Sequence, residues 1–259
     1  MKGSRKSTVS FADVWNGENS LNPERIGMLI TCEHGGNEIP EEYRELFAGH
    51  GDLLNSHRGY DIGALPLARY LAQELGVPLL FSENSRLLVD LNRSLHHRNL
   101  FSELTSRLDE ATRRTIMHSY YQPYRSEVEQ WVRQSVDGGK RVIHLSIHSF
   151  TPVLNGQERR ADIGLLYDPR RSWEKTMSSR MLEFLKDLSL PGFIYRRNYP
   201  YRGTADGMTS SLRRLWPDLR YAGIEIEVNQ KLCSDNSSFQ RNVCHPMITA
   251  LQRILGEGR

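Results

Sequence analysis

Apolar positions along the chain follow two rhythms, and their succession predicts a layered α/β fold. Short aliphatic runs predict buried strands at 27–32, 78–81, 86–93, 142–148, 163–167, 193–195 and 222–228. The last of these alternates, so that Glu225 and Glu227 fall on one side of the strand and Ile224 and Ile226 on the other. Between the strands, apolar residues recur at spacings of three and four. Leu65, Ala68, Leu71, Ala72 and Leu75 mark a helix with Asp61 as its N-cap and Gly76 as its stop. A short helix follows Pro40 and runs through Phe47. Residues 103–137 read as mostly helical, divided or kinked at Pro123. Helices are also predicted at 172–188 and 237–256, and a Pro-, Gly- and Tyr-rich loop at 199–208.

Residues 1–25 are polar and lack a sustained period, which predicts an N-terminal arm with one short amphipathic turn near Phe11 to Trp15. Residues 26–259 read as a single domain with no internal repeat and no linker-like shift in composition. Strands that alternate with helices predict a three-layer α/β/α sandwich around a mostly parallel sheet. In such sheets ligands bind beyond the carboxyl ends of the strands. His34, Asn92, Arg93, His148 and Glu227 all fall at or just after predicted strand ends, which makes that edge the expected site.

Composition narrows the picture without changing it. A chain that is 38% hydrophobic and 25% charged, with a net charge of +3 and mixed signs, has neither a nucleic-acid footprint nor an apolar run long enough for a membrane span. The three cysteines, Cys32, Cys233 and Cys244, form no CxxC pair. With no apolar segment after the basic N-terminus, the expectation is a cytoplasmic protein that acts on a small molecule and engages neither nucleic acid nor membrane.

His34 and His148 stand in equivalent places, each at the end of an apolar strand. Two imidazoles, a carboxylate and a free position make a catalytic zinc site. The carboxylate is either Glu38, four residues on in the same Gly-Gly loop, or Asp61. Glu33 is suited to accept the other ring N–H of a ligand histidine. Arg86, Asn92 and Arg93 are suited to a substrate carboxylate, through a guanidinium fork and an amide. Glu227, nearer the strand end, reads as a general base, and Glu225 as a partner of Arg213, Arg214 or Arg220. Tyr201 and Arg202 are candidates to line a substrate pocket. A rival reading makes Cys32 a nucleophile beside His34; the plainer one buries Cys32 as a small hydrophobe.

The stretches Cys-Glu-His-Gly-Gly-Asn-Glu-Ile-Pro at 32–40, His-Arg-Gly-Tyr-Asp-Ile-Gly-Ala at 57–64, Asp-Leu-Asn-Arg at 90–93 and Ser-Ile-His-Ser at 146–149 together resemble the N-formylglutamate amidohydrolase family. The resemblance spans roughly residues 28 to 230 and implies kinship with zinc carboxypeptidases and aspartoacylases, with a mixed, largely parallel eight-stranded sheet. It implies hydrolysis of the amide bond of an N-acyl amino acid such as N-formylglutamate, through one zinc ion and metal-activated water. It further implies that His34 and His148 are zinc ligands, with Asp61 ahead of Glu38 as the third. Asn92 and Arg93 would bind the substrate α-carboxylate, Arg86 would polarise the scissile carbonyl, and Glu227 would be the general base. Glu-His-Gly-Gly stands where many members have Pro-His-Ser-Gly, which suggests a divergent branch. A metallo-carboxypeptidase or another small-substrate amidase, and a non-catalytic binding protein of the same fold, are the alternatives.

Overall fold

The computed structural model describes residues 26–188 and 190–257, so the predicted N-terminal arm lies outside the described residues. In chain order, β1 (Ile26–Cys32) leads through a 3₁₀ turn (Glu41–Phe47) and α1 (Gly51–Leu54) to α2 (Ala64–Leu75) and β2 (Leu79–Phe81). Next come α3 (Glu110–Ile116), a π turn (Met117–Tyr121), α4 (Gln122–Asp137) and β3 (Arg141–Phe150). A hairpin of β4 (Val153–Leu154) and β5 (Gln157–Glu158) precedes β6 (Ile163–Leu166), α5 (Ser172–Leu188) and β7 (Tyr195–Arg197). The chain ends with α6 (Met208–Arg213), β8 (Tyr221–Asn229), α7 (Asn236–Phe239), a second π turn (Gln240–Cys244) and α8 (His245–Glu257).

Six strands form one sheet in the order β2-β1-β3-β8-β6-β7, and β4 and β5 pair separately. The implied eight-stranded sheet is therefore six strands plus a detached hairpin. Neighbours in the sheet are parallel except β6 against β8. The hairpin accounts for that exception. It follows β3 directly and hands the chain to β6 at the same end of the sheet, so β6 must run back. No helix among the described residues is long and apolar enough to cross a membrane.

Period-two alternation divides the sheet into two unlike faces. Ile30 and Cys32 of β1, Ile143, Leu145 and Ile147 of β3, and Ile224 and Ile226 of β8 point one way, into a fully apolar layer shared with α2, α5 and α8. Each buried aliphatic side chain there contributes about 1.5–3 kcal/mol. The other face is apolar only at its far end, where Leu29, Val142 and Tyr221 meet the residues of α4 and α6. Toward the strand carboxyl ends it turns polar while staying buried: Thr31, His144, Ser146, His148, Glu225 and Glu227.

Three predicted elements need correction. Residues 86–93 are turns rather than a strand. The Ser85 hydroxyl accepts from the Leu87 amide and the Asp90 carboxylate from the Asn92 amide, at 3.2 and 3.0 Å, so side chains take over the backbone donors that a ladder would need. Leu87, Leu88, Val89 and Leu91 still fill the core, which explains the strand-like pattern. Second, the 103–137 helix begins only at Glu110, capped by Asp109, and the π turn interrupts it just ahead of Pro123. Third, α2 starts at Ala64 with Gly63 at its N-cap, and Asp61 does not cap it. The Asp61 carboxylate turns instead toward two histidines.

Candidate active site

β1 ends at Cys32, and the next turn carries His34 over the polar face of the sheet, close to His148 on β3. Their rings lie 5.1 Å apart between centroids. Asp61 stands between them: its Oδ2 is 2.8 Å from His148 Nδ1 and 3.4 Å from His34 Nδ1. These three buried side chains offer ligand atoms all within 4.8 Å of one another, so they can hold a metal ion. Glu38 is exposed and belongs to a backbone bridge with Asn84, outside this cluster.

Each imidazole is braced from behind by another carboxylate. His34 Nε2 lies 2.7 Å from Asp90 Oδ1, and His148 Nε2 lies 3.2 Å from Glu33 Oε2. Such partners fix ring orientation and leave Nδ1 as the atom to present to a metal. Ser146 also donates to Glu33 at 2.7 Å. Burial would raise the pKa of Glu33, but the hydrogen bond and charge of His148 outweigh it and hold the carboxyl well below its usual range. Burial likewise opposes the charge on His148, yet the hydrogen bonds it donates to the Asp61 and Glu33 carboxylates push its pKa well above the ordinary value. The field at this point therefore favours positive charge, as a cation site requires.

Glu227 is the register neighbour of His148 in the sheet, and Glu225 that of Ser146. Thr209 donates to Glu225 at 2.6 Å, whereas the predicted arginine partners are elsewhere. Arg213 instead pairs with the fully buried Glu174 of α5. Glu227 is buried, and its Oε2 has no hydrogen-bond partner. Burial, reinforced by the charges of Asp61 and Glu225 and opposed by His148 and Arg86, pushes its pKa to about 8. A buried carboxylate with an idle oxygen is costly unless it has chemistry to perform.

These groups open into a cavity of about 200 Å³. Arg86, Asn92, Arg93, Tyr201 and Arg202, all singled out from sequence, line it together with Asp61, both histidines and Glu227. Arg86 bridges two acids, with Nη2 2.7 Å from Asp90 and Nη1 3.4 Å from Asp61. Asn92 accepts from the Met208 amide at 2.6 Å and turns its amide toward His148 Nε2 at 3.4 Å. Tyr201 and Arg202 arrive on the 198–207 loop, which lies against bare backbone. A Cβ at Gly164 would collide with the Tyr199 carbonyl, and one at Gly203 with the backbone of Tyr167. Asn198 fastens the loop by accepting from the amides of Tyr167 and Gly203 at 3.0 and 2.9 Å.

Sequence reasoning missed Asp90 and His57. Asp90 was given no role beyond its place in the Asp-Leu-Asn-Arg stretch, but it holds His34 and Arg86 together; its place two residues ahead of Asn92, as a turn-forming acid, was the available signal. His57 lines the cavity mouth and sits in the motif that supplies Asp61. Cys32 is fully buried in the apolar layer on the opposite face of the sheet from the imidazoles, and burial raises its thiol pKa well above normal. It cannot serve as a nucleophile there.

A family model described as N-formylglutamate amidohydrolase matches residues 26–234. Among solved structures, a gene product of Agrobacterium tumefaciens is similar with 28% identity over 89% of each chain and a TM-score of 0.72. An N-formylglutamate amidohydrolase from Ralstonia eutropha shares the fold with 18% identity and a TM-score of 0.63, over 90% of this chain and 94% of that one. No curated protein matches the sequence.

Proposed function

The chain belongs to the N-formylglutamate amidohydrolase family, and from that premise we propose that it is a metal-dependent hydrolase cleaving the amide bond of a small N-acyl amino acid, N-formylglutamate being the first substrate to try. The observation that carries this reading is the convergence of His34, Asp61 and His148 in one cavity with Glu227, whose buried Oε2 is unpartnered. Those three residues would hold the metal, and two imidazoles with a carboxylate suit zinc. When bound, such an ion supplies Lewis acidity toward a carbonyl and lowers the pKa of water.

The chain's own residues do the rest. Glu227 takes a proton from the water that adds to the scissile carbonyl carbon and passes it to the nitrogen as the C–N bond breaks, giving a carboxylic acid and an amine. A pKa raised into the neutral range suits a group that must both accept and return that proton. Arg86 faces the cavity beside Asp61 and adds positive charge where the carbonyl oxygen becomes anionic. Asn92, Arg93, Tyr201 and Arg202 form the wall that orients the substrate.

The test is metal content together with a turnover panel. Protein purified without chelators should carry about one zinc per chain, and His34→Ala and His148→Ala should lose both metal and activity. N-formyl amino acids should be turned over ahead of N-acetyl amino acids and dipeptides. Preferred cleavage of dipeptides would replace this reading with a carboxypeptidase. Absence of metal under every loading condition would leave a binding protein of the same fold.

A further inference from the structure

Asp61 stands on a turn that its neighbours in sequence do not hold by themselves. α2 begins three residues later, with Gly63 at its N-cap in the left-handed region (φ 84°) and no side chain capping the helix. On one side of the turn, the Asp61 amide donates to the His34 carbonyl at 2.9 Å, which links two of the candidate ligands through their backbones. The other side, Ile62 and Gly63, is fixed by residues much later in the chain.

β8, which carries Glu227, ends at Asn229, and a 3₁₀ turn (Gln230–Cys233) follows it. Two residues of that turn reach the Asp61 turn. The half-buried Gln230 donates its amide to the Ser149 hydroxyl at 3.1 Å, and Ser149 donates to the Ile62 carbonyl at 2.8 Å. The direction of this chain follows from its chemistry. A carbonyl only accepts and a hydroxyl has one proton, so that proton goes to Ile62 and the hydroxyl oxygen takes the Gln230 N–H. The Ser149 amide also faces Asp61 Oδ2, at 3.4 Å. Cys233 packs on the remaining residue: a Cβ on Gly63 would collide with its side chain, and the Phe239 ring stands beside it. The 3₁₀ turn is itself anchored. The fully buried Asn229 accepts from the Lys231 amide at 3.1 Å and donates to the carbonyls of Arg159 and Ala161 at 3.0 and 2.8 Å. Gln230 and Ser149 have no part in the proposed hydrolysis, yet they tie the strand of Glu227 to the turn of Asp61.

We propose that Gln230 and Ser149 are positioning residues for the metal: the chain from Gln230 through Ser149 to the Ile62 carbonyl holds the turn that presents Asp61, and so sets how tightly the site keeps its ion. The proposal rests on the metal site of the hydrolase reading and deepens it. Asp61 is the one candidate ligand carried by neither a strand nor the turn that directly continues one. Its place depends on contacts from outside, and a ligand free to drift contributes less to binding than one held where the ion needs it.

The experiment titrates zinc into the metal-free full chain against a competing chelator, so the readout is a dissociation constant and needs no turnover. Gln230→Leu keeps bulk and removes the amide; Ser149→Ala removes the hydroxyl. Each should weaken zinc binding by about tenfold, the lower end of what partners behind a metal ligand contribute. The double variant should bind no more weakly than Ser149→Ala alone, because Gln230 acts through Ser149. Lys231→Gln is the structural control. It removes the 2.8 Å ion pair to Asp162 from the same 3₁₀ turn without touching the chain to Ile62, and its zinc affinity should equal that of wild type. Unchanged affinity in Gln230→Leu, additive losses in the double variant, or an equal loss in Lys231→Gln would overturn the positioning role while leaving the metal site in place. Wild type that binds no zinc would overturn the metal reading itself, and this proposal with it.

Discussion

The two faces of the central sheet are made from alternate residues of the same three strands, yet they obey opposite rules. On one, Ile30, Leu145, Ile147, Ile224 and Ile226 meet the apolar residues of α2, α5 and α8. On the other, Thr31, His144, Ser146, His148, Glu225 and Glu227 are just as inaccessible, but nearly every one answers to a specific partner. Thr31 and Tyr221 share hydrogen bonds with the two nitrogens of His144 at 2.8 and 2.7 Å, and Ser146 ties Glu33 toward His148. Buried polar atoms tolerate little error, so such a face is stable only when its pairing is complete. The difference teaches where to look for function: at the place where pairing fails. Among the sheet residues of that face, that place is Glu227 Oε2. The apolar face carries the stability, and the polar face uses some of it to hold unfavourable charges in fixed positions.

Mutations that treat the faces separately can break this division. The largest effect is expected at Glu227→Gln, which should lower kcat by about 10²- to 10⁴-fold, the usual weight of a general base. Metal content and thermal midpoint should stay near wild type, because the amide neutralises a carboxyl that burial already disfavours. Undiminished turnover in that variant would remove the general-base role. On the apolar face, Leu145→Ala should cost about 2–5 kcal/mol in urea unfolding, while kcat per folded molecule is preserved. A variant that loses kcat instead would show that the two faces are mechanically coupled.

Acid should sharpen the contrast, since only the polar face titrates. Burial holds His144 at about 4, below its ordinary 6.5. Between those values the unfolded chain binds a proton that the folded chain refuses. This contribution to stability is therefore complete above pH 6.5 and is lost as the pH falls toward 4, by roughly 3 kcal/mol over the window. In the metal-free protein His148, whose folded pKa is raised, contributes with the opposite sign, and its share fades only as the pH climbs above 6.5. Urea unfolding at about pH 7 and pH 5 should show a smaller acid loss in His144→Gln than in wild type. An equal loss would assign the slope to other groups. The smallest effect is expected at Cys32→Ala, on the apolar side of β1: about 1 kcal/mol or less of stability and no change in kcat. A large fall in kcat there would reopen the thiol reading.

Much of the sheet was legible because alternation reports burial directly. Residues 222–228 gave both the strand and the shared orientation of Glu225 and Glu227, and the apolar run to His148 gave the central strand. The stretch 86–93 misled because Leu87, Leu88 and Val89 are buried for their own sake, without a ladder; periodicity cannot distinguish a buried turn from a buried strand. Among site residues, Asp61 was weighed as a helix cap and as a ligand, and only tertiary packing brings it between His34 and His148, 27 and 87 residues away. The pairing of His34 with Asp90 spans 56 residues and follows no local rule. The antiparallel β6 was also beyond reach, since strand direction depends on the hairpin and not on the composition of the strand.

Two glycines, Gly164 under the 198–207 loop and Gly203 within it, separate what this fold can vary from what it cannot. Gly164 and Gly203 let the loop rest backbone on backbone, so its seat on the sheet does not depend on the side chains at its tip. Residues such as Tyr201 and Arg202 can be exchanged without disturbing the strand that carries Glu227. The same scaffold is therefore open to new substrates by rewriting a few exposed positions, while a single methyl group at either glycine would unseat the loop and close that route.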